Sequence, residues 1–516
     1  MRTSRAAWAA SGLIAGVAGL ATSHLTAMAL VVRESPVVAV GEAMIALTPG
    51  RVAAWAVEVF GFWDKTVLVG GILVVLGVVF AYAGLRARHA WWQPAVVFGL
   101  VAVLGAVAVV YRAASATTEL LPIAVGYLTW VVTLSLLTDP LAKADRAAGT
   151  AGTGAGAEDP AGGGTRRAFL LRAGLVSALA VAAGVGGELW GRGRRVVEET
   201  RRLLRLPLTM PPVPEGASAG LDGLGPWQTP NEDFYLIHTT LVLPTVDPDA
   251  YELRIHGMVE NELRLSYAEL VGREFTEAWI TLNCVSNPVG GQLIGNAWWS
   301  GVRLADLLAE AGVQDGADCV LQTSHDGWTC GTPLDVLTDD RNAMLAVGMN
   351  GVPLPIEHGF PVRTIVPGLY GFVSACKWVV DIEVTRFDLI RAFWTAKGWA
   401  EQAPVRLASR IDVPRGGDDV AAGAVRVGGV AWAQHTGIAA VEVAVDGGGW
   451  QPMQIAAPGT DDTWVQWAGE VEVEAGDHTV RVRAIDKDGE EQTGVERDVV
   501  PDGATGWHEV SFSVQA

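Results

Sequence analysis

The chain has 516 residues, 50% of them hydrophobic, with a mean hydropathy of +0.30. That length asks for more than one domain, and that hydropathy is high for a protein bathed in water throughout. The net charge is −19, but residues 1–205 carry 19 basic against 12 acidic side chains while residues 206–516 carry 18 against 44. A basic, apolar first part joined to an acidic second part reads as a membrane anchor bearing a water-facing domain, and the acidic surface excludes nucleic acid as a partner.

In chain order, apolar stretches at 7–32, 66–85, 94–111, 120–137 and 168–188 are each long enough to cross a bilayer, which needs about 20 residues. The stretch 38–62 is apolar but broken by Glu42, Pro49, Arg51 and Glu58, and reads as an interfacial or re-entrant helix outside the bilayer core. Arg2 and Arg5 precede the first span, Arg86 and Arg88 follow the second, and Lys143, Arg146, Arg166 and Arg167 lie between the fourth and fifth. The positive-inside rule then places the N-terminus in the cytoplasm and everything after the fifth span outside it, in a multi-pass protein in contact with membrane lipid. Arg192, Arg194, Arg195, Arg201, Arg202 and Arg205 oppose that orientation, although long domains translocate despite such charges. Only His24 and His89 lie near the first four spans, with no facing pair for a haem and no CxxCH motif. The electron partner is therefore expected to be a separate protein or a quinone-linked subunit.

A four-span membrane domain (1–140) is thus followed by a Gly/Ala-rich linker (141–164), expected to be flexible from 150 onward, and by a fifth span with its connector (165–205). Thr165-Arg166-Arg167-Ala168-Phe169-Leu170 resembles a twin-arginine export signal; two ordinary cytoplasmic arginines beside a span are the plainer alternative. The remainder divides near 393–406. In 206–392 strand and helix patterns mix: 251–259 and 381–387 alternate as strands, and 304–312 reads as a helix ending at Gly312. In 393–516 only short strands appear, at 424–433, 439–453, 478–486 and 508–514, with hairpin turns at 446–449 and 488–489. That pattern predicts an immunoglobulin-like β-sandwich.

Four segments carry chemistry. TLNCVSNPVGGQLIGNAWWSGVRL (281–304) sets Cys284 before a Gly-rich loop, a soft ligand where a large group must approach backbone closely. The other cysteines, Cys319, Cys330 and Cys376, form no CxxC pair and no disulfide framework, though one bridge among them stays open. Segment 349–384 sets His358, Arg363 and Lys377 among glycines and prolines, a cationic, donor-rich cradle suited to a phosphate. Segment 229–244 holds the aromatic pair Phe234-Tyr235 with His238, and 324–337 holds Trp328.

Together these segments resemble the sulfite oxidase family over about residues 225–385, with the trailing β domain matching the family's C-terminal domain in type. The resemblance implies an α+β molybdopterin-binding catalytic domain and a molybdenum–molybdopterin cofactor. Cys284 is then the metal ligand, and His358 and Arg363 lie near the cofactor phosphate. The 370–377 stretch, Ser374 and Lys377 included, supplies further donors; Phe234, Tyr235 and His238 wrap the pterin. Three positions depart from the sulfite-oxidising pattern: Ile237 and Trp298 stand where arginine is expected, and Trp328 where a tyrosine faces the metal. Sulfite, a small dianion, needs cations. The sequence thus reads as a membrane-anchored molybdenum oxidoreductase acting by oxygen-atom transfer on a small S-oxide or N-oxide. A sulfite dehydrogenase using Arg303 or Arg341 is the alternative enzyme, and a non-catalytic cell-surface binding module the alternative of another class. Trp432, Trp450, Trp464 and Trp467 are read as core or, in the homodimer the resemblance allows, as interface.

Overall fold

The computed structural model describes residues 3–30, 36–49, 63–110, 117–150, 161–190, 192–421 and 423–515, with positions 52, 55, 56, 59 and 60. The chain divides into two compact units, Met1–Val196 with Thr239–Leu243, and Val197–His238 with Pro244–Ala516.

The first unit is helical: α1 (Arg5–Ala29), α2 (Pro36–Leu47), α3 (Asp64–Ala87), α4 (Trp92–Val110), α5 (Leu121–Thr150) and α6 (Ala161–Trp190). Among the described residues, all but α2 are long and apolar enough to cross a membrane. Lipid supplies little force driving apolar helices together, so close backbone approach through small residues must do it. A Cβ built on Gly12 would lie 2.0 Å from Phe80 O, and one on Gly84 2.2 Å from Trp8 O, so α1 and α3 touch backbone to backbone. Beside that contact Phe80, Phe98 and Trp130 pack with ring centroids 5.3–5.9 Å apart, and Trp130 Nε1 donates to Gly16 O. Helix α2 covers the first part of the stretch 38–62. Helix α5 continues through 141–150, where the linker was expected to begin, because Ala-rich sequence there is helix-compatible and Pro140 does not stop it. Residues 151–160 of that linker, with Arg2, Arg33, Arg51, Glu58 and Arg112, lie outside the described residues.

The second unit opens with α7 (Arg192–Leu203), whose first turns belong to the other unit, and then an extended segment. Ten strands follow: β1 (Glu252–Gly257), β2 (Leu263–Ser266), β3 (Thr276–Asn283), β4 (Ile294–Arg303), β5 (Cys319–Ser324), β6 (Thr329–Pro333), β7 (Met344–Met349), β8 (Val352–Pro353), β9 (Arg363–Ile365) and β10 (Val379–Thr385). They make two sheets, ordered β2-β1-β10-β5-β6 and β3-β4-β7-β8, with β9 paired to β7. Short helices α8 (Tyr267–Val271), α9 (Leu304–Ala311), α10 (Asp335–Thr338) and α11 (Gly371–Ser374) connect them. Helix α9 stops where the sequence predicts, at Gly312, whose φ of 71° caps it in the left-handed region. The core includes Leu253, Ile255, Ile280, Trp299, Phe360 and Trp378.

The C-terminal part is all β: β11 (Ala408–Val413), β12 (Asp419–Val420), β13 (Gly423–Trp432), β14 (Ile438–Val445), β15 (Gln451–Ile455), β16 (Val465–Val473), β17 (Gly476–Asp486) and β18 (His508–Val514), ordered β11-β13-β16-β15-β14-β17-β18-β12. They enclose one core containing Val427, Val441, Trp467, Val482 and Phe512. Strands β11, β12 and β16 were not foreseen; in β16 the acidic Glu470 and Glu472 and the side-chain-free Gly469 obscure its alternation. The core reading of the tryptophans fits three of the four: Trp432, Trp464 and Trp467 are buried, while Trp450 is half-buried and packs edge-on against Trp507 beneath the Arg483 guanidinium.

The α1–α3 contact yields a paired test. Gly84→Val drives a side chain into Trp8 O, with an expected loss of about 1–3 kcal/mol, read as a lowered unfolding midpoint in detergent. Gly70→Val, on the same helix with nothing within 4 Å, is expected to leave the midpoint unchanged.

Candidate active site

Strands β3 and β4 form a hairpin whose side chains alternate between faces. Pairings such as Trp279 with Trp298 and Leu282 with Gly295 place Trp279, Thr281, Asn283, Ile294, Asn296 and Trp298 on one face, and Ile280, Leu282, Gly295, Ala297 and Trp299 on the other. Cys284 continues the parity of Ile280 and Leu282. The loop after it is closed by Cys284 N donating to Leu293 O at 2.9 Å and is wound on Asn287, whose N donates to Cys284 O and whose Oδ1 accepts from Leu293 N. A Cβ on Gly291 would fall 2.2 Å from Asn287 Oδ1, so this turn requires glycine. Cys284 is 8% exposed. Burial pushes its thiol up, while the Ser286 N–H and hydroxyl and the Lys377 charge draw it back.

Phe234 lies over the same face. It stacks on Tyr235 at 5.3 Å and meets Trp299 and His358 edge-on, each at 5.7 Å. Its ring occupies the space of a Gly295 side chain, since a Cβ there would be 2.7 Å from Phe234 Cε2. The Tyr235 phenol is driven well above its usual range by burial and then by the neighbouring Cys284.

The cationic segment converges here. Gly359, at φ 112°, reverses the chain so that Arg363 and Lys377 flank it; a Cβ would lie 3.0 Å from Arg363 Cβ and 3.2 Å from Lys377 Cβ. His358 Nε2 donates to Asn231 O at 2.8 Å, leaving Nδ1 buried without a partner. Burial, reinforced by the Lys377 charge, lowers this imidazole to about 3, so it is neutral at ordinary pH. Arg363 is 2% exposed, sits 5.1 Å from the Trp299 ring and donates to His358 O, yet among the described residues no carboxylate pairs with it. Burial lowers its pKa to about 10, which still leaves it charged. Lys377 is half-buried and donates to Glu357 O at 2.9 Å. A buried, uncompensated guanidinium with an ammonium beside it asks for an anion. The adjacent thiol and the free His358 Nδ1 add a soft ligand and a neutral acceptor, so the donor set suits a phosphate-bearing metal cofactor.

The structure thus gathers Phe234, Tyr235, Cys284, His358, Arg363 and Lys377. His238 is half-buried at the end of the aromatic segment. Ser374 spends its hydroxyl proton locally, donating to Tyr370 O at 2.9 Å. Trp328 is half-buried in the β5–β6 turn, its backbone N–H donated to Asp326 Oδ1, and no hydrogen bond or ring contact among the described residues joins it to Cys284. Trp298 is a correction: it packs on Trp279 at 5.3 Å, on the face opposite Cys284, and so takes no part in the charge of a pocket on the Cys284 side. All four cysteines are free thiols. Asn231, Ser286, Asn287, Arg410 and His508 were missed. The Asn-Pro step after the cysteine was a readable signal for Asn287. Arg410, which donates to Gly291 O, and His508, which packs on Gly290, come from the C-terminal domain and left none.

A profile of the family described as oxidoreductase molybdopterin binding domain matches residues 240–394. An uncharacterized oxidoreductase of Bacillus subtilis, YuiH, is 33% identical over 174 residues, which cover 34% of this chain and 84% of that one. The sulfite oxidase of Gallus gallus is 31% identical over 297 residues, covering 48% and 64% of the two chains, and mitochondrial sulfite oxidase of Homo sapiens 30% over 307 residues, covering 50% and 56%. The chain therefore spans under two thirds of the length of these sulfite oxidases. The crystal structure of the sulfane dehydrogenase SoxCD from Paracoccus pantotrophus superposes with a TM-score of 0.45 at 25% identity, covering 51% of this chain and 74% of that one.

Two outcomes follow from the buried charges. In cofactor-free protein, Arg363→Met is expected to raise stability by about 1–4 kcal/mol in urea unfolding, and to abolish cofactor retention; lower stability with the cofactor retained would make the arginine merely structural. Because His358 is neutral down to about pH 3 when folded but titrates near 6.5 when unfolded, unfolding takes up a proton between those values. Stability of cofactor-free protein should therefore fall as pH drops through that window, and His358→Gln should flatten the decline.

Proposed function

The chain belongs to the oxidoreductases that carry a molybdopterin-binding domain, a molybdenum-dependent group related to sulfite oxidase, and from that premise we propose that it is membrane-anchored, faces away from the cytoplasm and transfers an oxygen atom from a small, uncharged S-oxide or N-oxide. The observation that carries the proposal is the buried Cys284 thiol within reach of the Lys377 charge, beside the Arg363 guanidinium, which no carboxylate among the described residues pairs. When bound, the cofactor supplies two-electron oxygen-atom transfer.

The chain's own residues bind, orient and exclude water. Cys284 is the thiolate ligand of the metal. Arg363 and Lys377 hold the phosphate, with His358 Nδ1 as a neutral acceptor alongside. Phe234 and Tyr235 wall the pterin, and His238 and Ser374 border it. Trp328 offers an indole N–H that orients the substrate oxygen. Ile237, 47% exposed, presents an apolar side chain where a sulfite-oxidising site wants a cation, which supports an uncharged substrate. The two arginines of the sulfite alternative are otherwise engaged: Arg341 is paired with Asp339 and donates to Pro367 O, and Arg303 donates to Asp339 O.

Five apolar helices and the cytoplasmic bias of the short-loop cations support multi-pass anchoring with the later domains outside. The twin-arginine-like segment fits export of a folded, cofactor-loaded domain. The electron donor is a separate redox protein or quinone-linked subunit, and the C-terminal domain is read as an immunoglobulin-like sandwich.

Purified protein is expected to contain stoichiometric molybdenum and pterin, with Cys284→Ser losing redox turnover. Absence of molybdenum from wild type made in a cofactor-competent host would favour the binding-module reading. In the same preparation kcat/KM for S-oxides should exceed that for sulfite; comparable sulfite turnover sinks the substrate assignment.

A further inference from the structure

Between the Cys284 loop and the C-terminal domain lies a cavity of about 20 Å³. Its wall combines Asn283, Asn287 and Tyr370 from the catalytic part with Ser409, Trp432 and Gln492 from the β domain, and no charged side chain lines it. Most of its polar groups are satisfied: Ser409 Oγ donates to Gln492 Oε1, Gln492 Nε2 donates to Gly506 O, and Asn287 Oδ1 accepts from Leu293 N. Two are not. Asn283 Oδ1, in a residue 2% exposed, is an acceptor without a donor, and Trp432 Nε1, in a residue 3% exposed, is a donor without an acceptor.

A buried orphan of either kind is costly, and one of each sign in two residues that line the same small cavity has a simple solution. A volume of that size takes one water, provided it finds at least two polar partners. We propose that this cavity is a single-water site in which the water accepts from Trp432 Nε1–H and donates to Asn283 Oδ1, making Asn283 a positioning residue that ties the Cys284 peptide to the C-terminal domain.

The rest of the loop is held from the same side. Arg410 Nη1 donates to Gly291 O at 2.9 Å, and the His508 ring fills the place of a Gly290 side chain, 2.2 Å from where its Cβ would be. The water would complete this clamp at the residue covalently adjacent to Cys284, where a supporting hydrogen bond fixes the direction from which a ligand sulfur approaches its metal. The effect on the metal rests on Cys284 being the ligand; the water site itself does not.

A high-resolution crystal structure should show a density peak about 2.7–3.2 Å from both atoms. In cofactor-free protein, Trp432→Phe and Asn283→Leu should each speed alkylation of Cys284 by about fivefold, the equivalent of one lost hydrogen bond. The double variant should be no faster than either alone, since both act through one water. In loaded protein the Mo(V) electron paramagnetic resonance signal should shift in either variant at unchanged molybdenum content. No density peak, or a double variant whose acceleration is the product of the singles, overturns the proposal. If one variant fails to fold, the density and the other variant still decide. Molybdenum retained without change in Cys284→Ser would instead remove the ligand assignment and leave the water to be judged by density and alkylation.

Discussion

A guanidinium sealed from water without a counter-ion among the described residues is the constraint around which the catalytic part is arranged. Removing such an ion from water costs several kcal/mol even after relaxation. The protein offsets only part of this, with the His358 carbonyl and the face of Trp299. Segment 349–384 is costly without an anion: Gly359 must adopt a left-handed conformation to bring Arg363 and Lys377 together, and a neutral His358 is buried beside them. With a phosphate-bearing cofactor in place, the same features become complementary charge and hydrogen-bonding capacity.

The β3–β4 hairpin divides labour by the two-residue period of a strand. One face carries Trp299, Gly295 and the parity that leads to Cys284, and receives Phe234 and the cationic segment. The other carries Trp279, Thr281 and Trp298 and is welded to the C-terminal domain: Trp464 N donates to Thr281 Oγ1, and Thr281 N donates to Asp462 O. Neighbours in sequence therefore have unrelated fates. Trp298 is cement between domains, while Trp299 is the platform under a buried charge. The C-terminal domain is accordingly part of the support for the Cys284 loop.

The helical unit follows different physics. Its contacts depend on the absence of side chains, at Gly12, Gly16, Gly19 and Gly84, the close van der Waals approach by which apolar helices associate in a bilayer. The aromatic trio of Phe80, Phe98 and Trp130 then fills the space beside those glycines.

The sequence by itself determined that the chain has helices long and apolar enough to cross a membrane, where α9 ends, which strands bracket the catalytic part, and that a soft ligand and cations cluster in short motifs, because each depends on local chemistry: hydropathy run length, a glycine stop, or residue types set close together in the chain. The acidic, Gly-interrupted β16 escaped, since its strand character comes from pairing with β13 and β15 rather than from its own alternation. Helix α5 outran the expected linker because helix-compatible composition prevailed over the look of low complexity. Only the tertiary structure decided that Trp298 faces away from Cys284, that three tryptophans of the β domain are interior, and that Arg410, His508 and Trp432 support a loop far from them in the chain. Side-chain direction across a sheet and contacts between distant segments depend on register and on domain packing, which no short window of sequence contains.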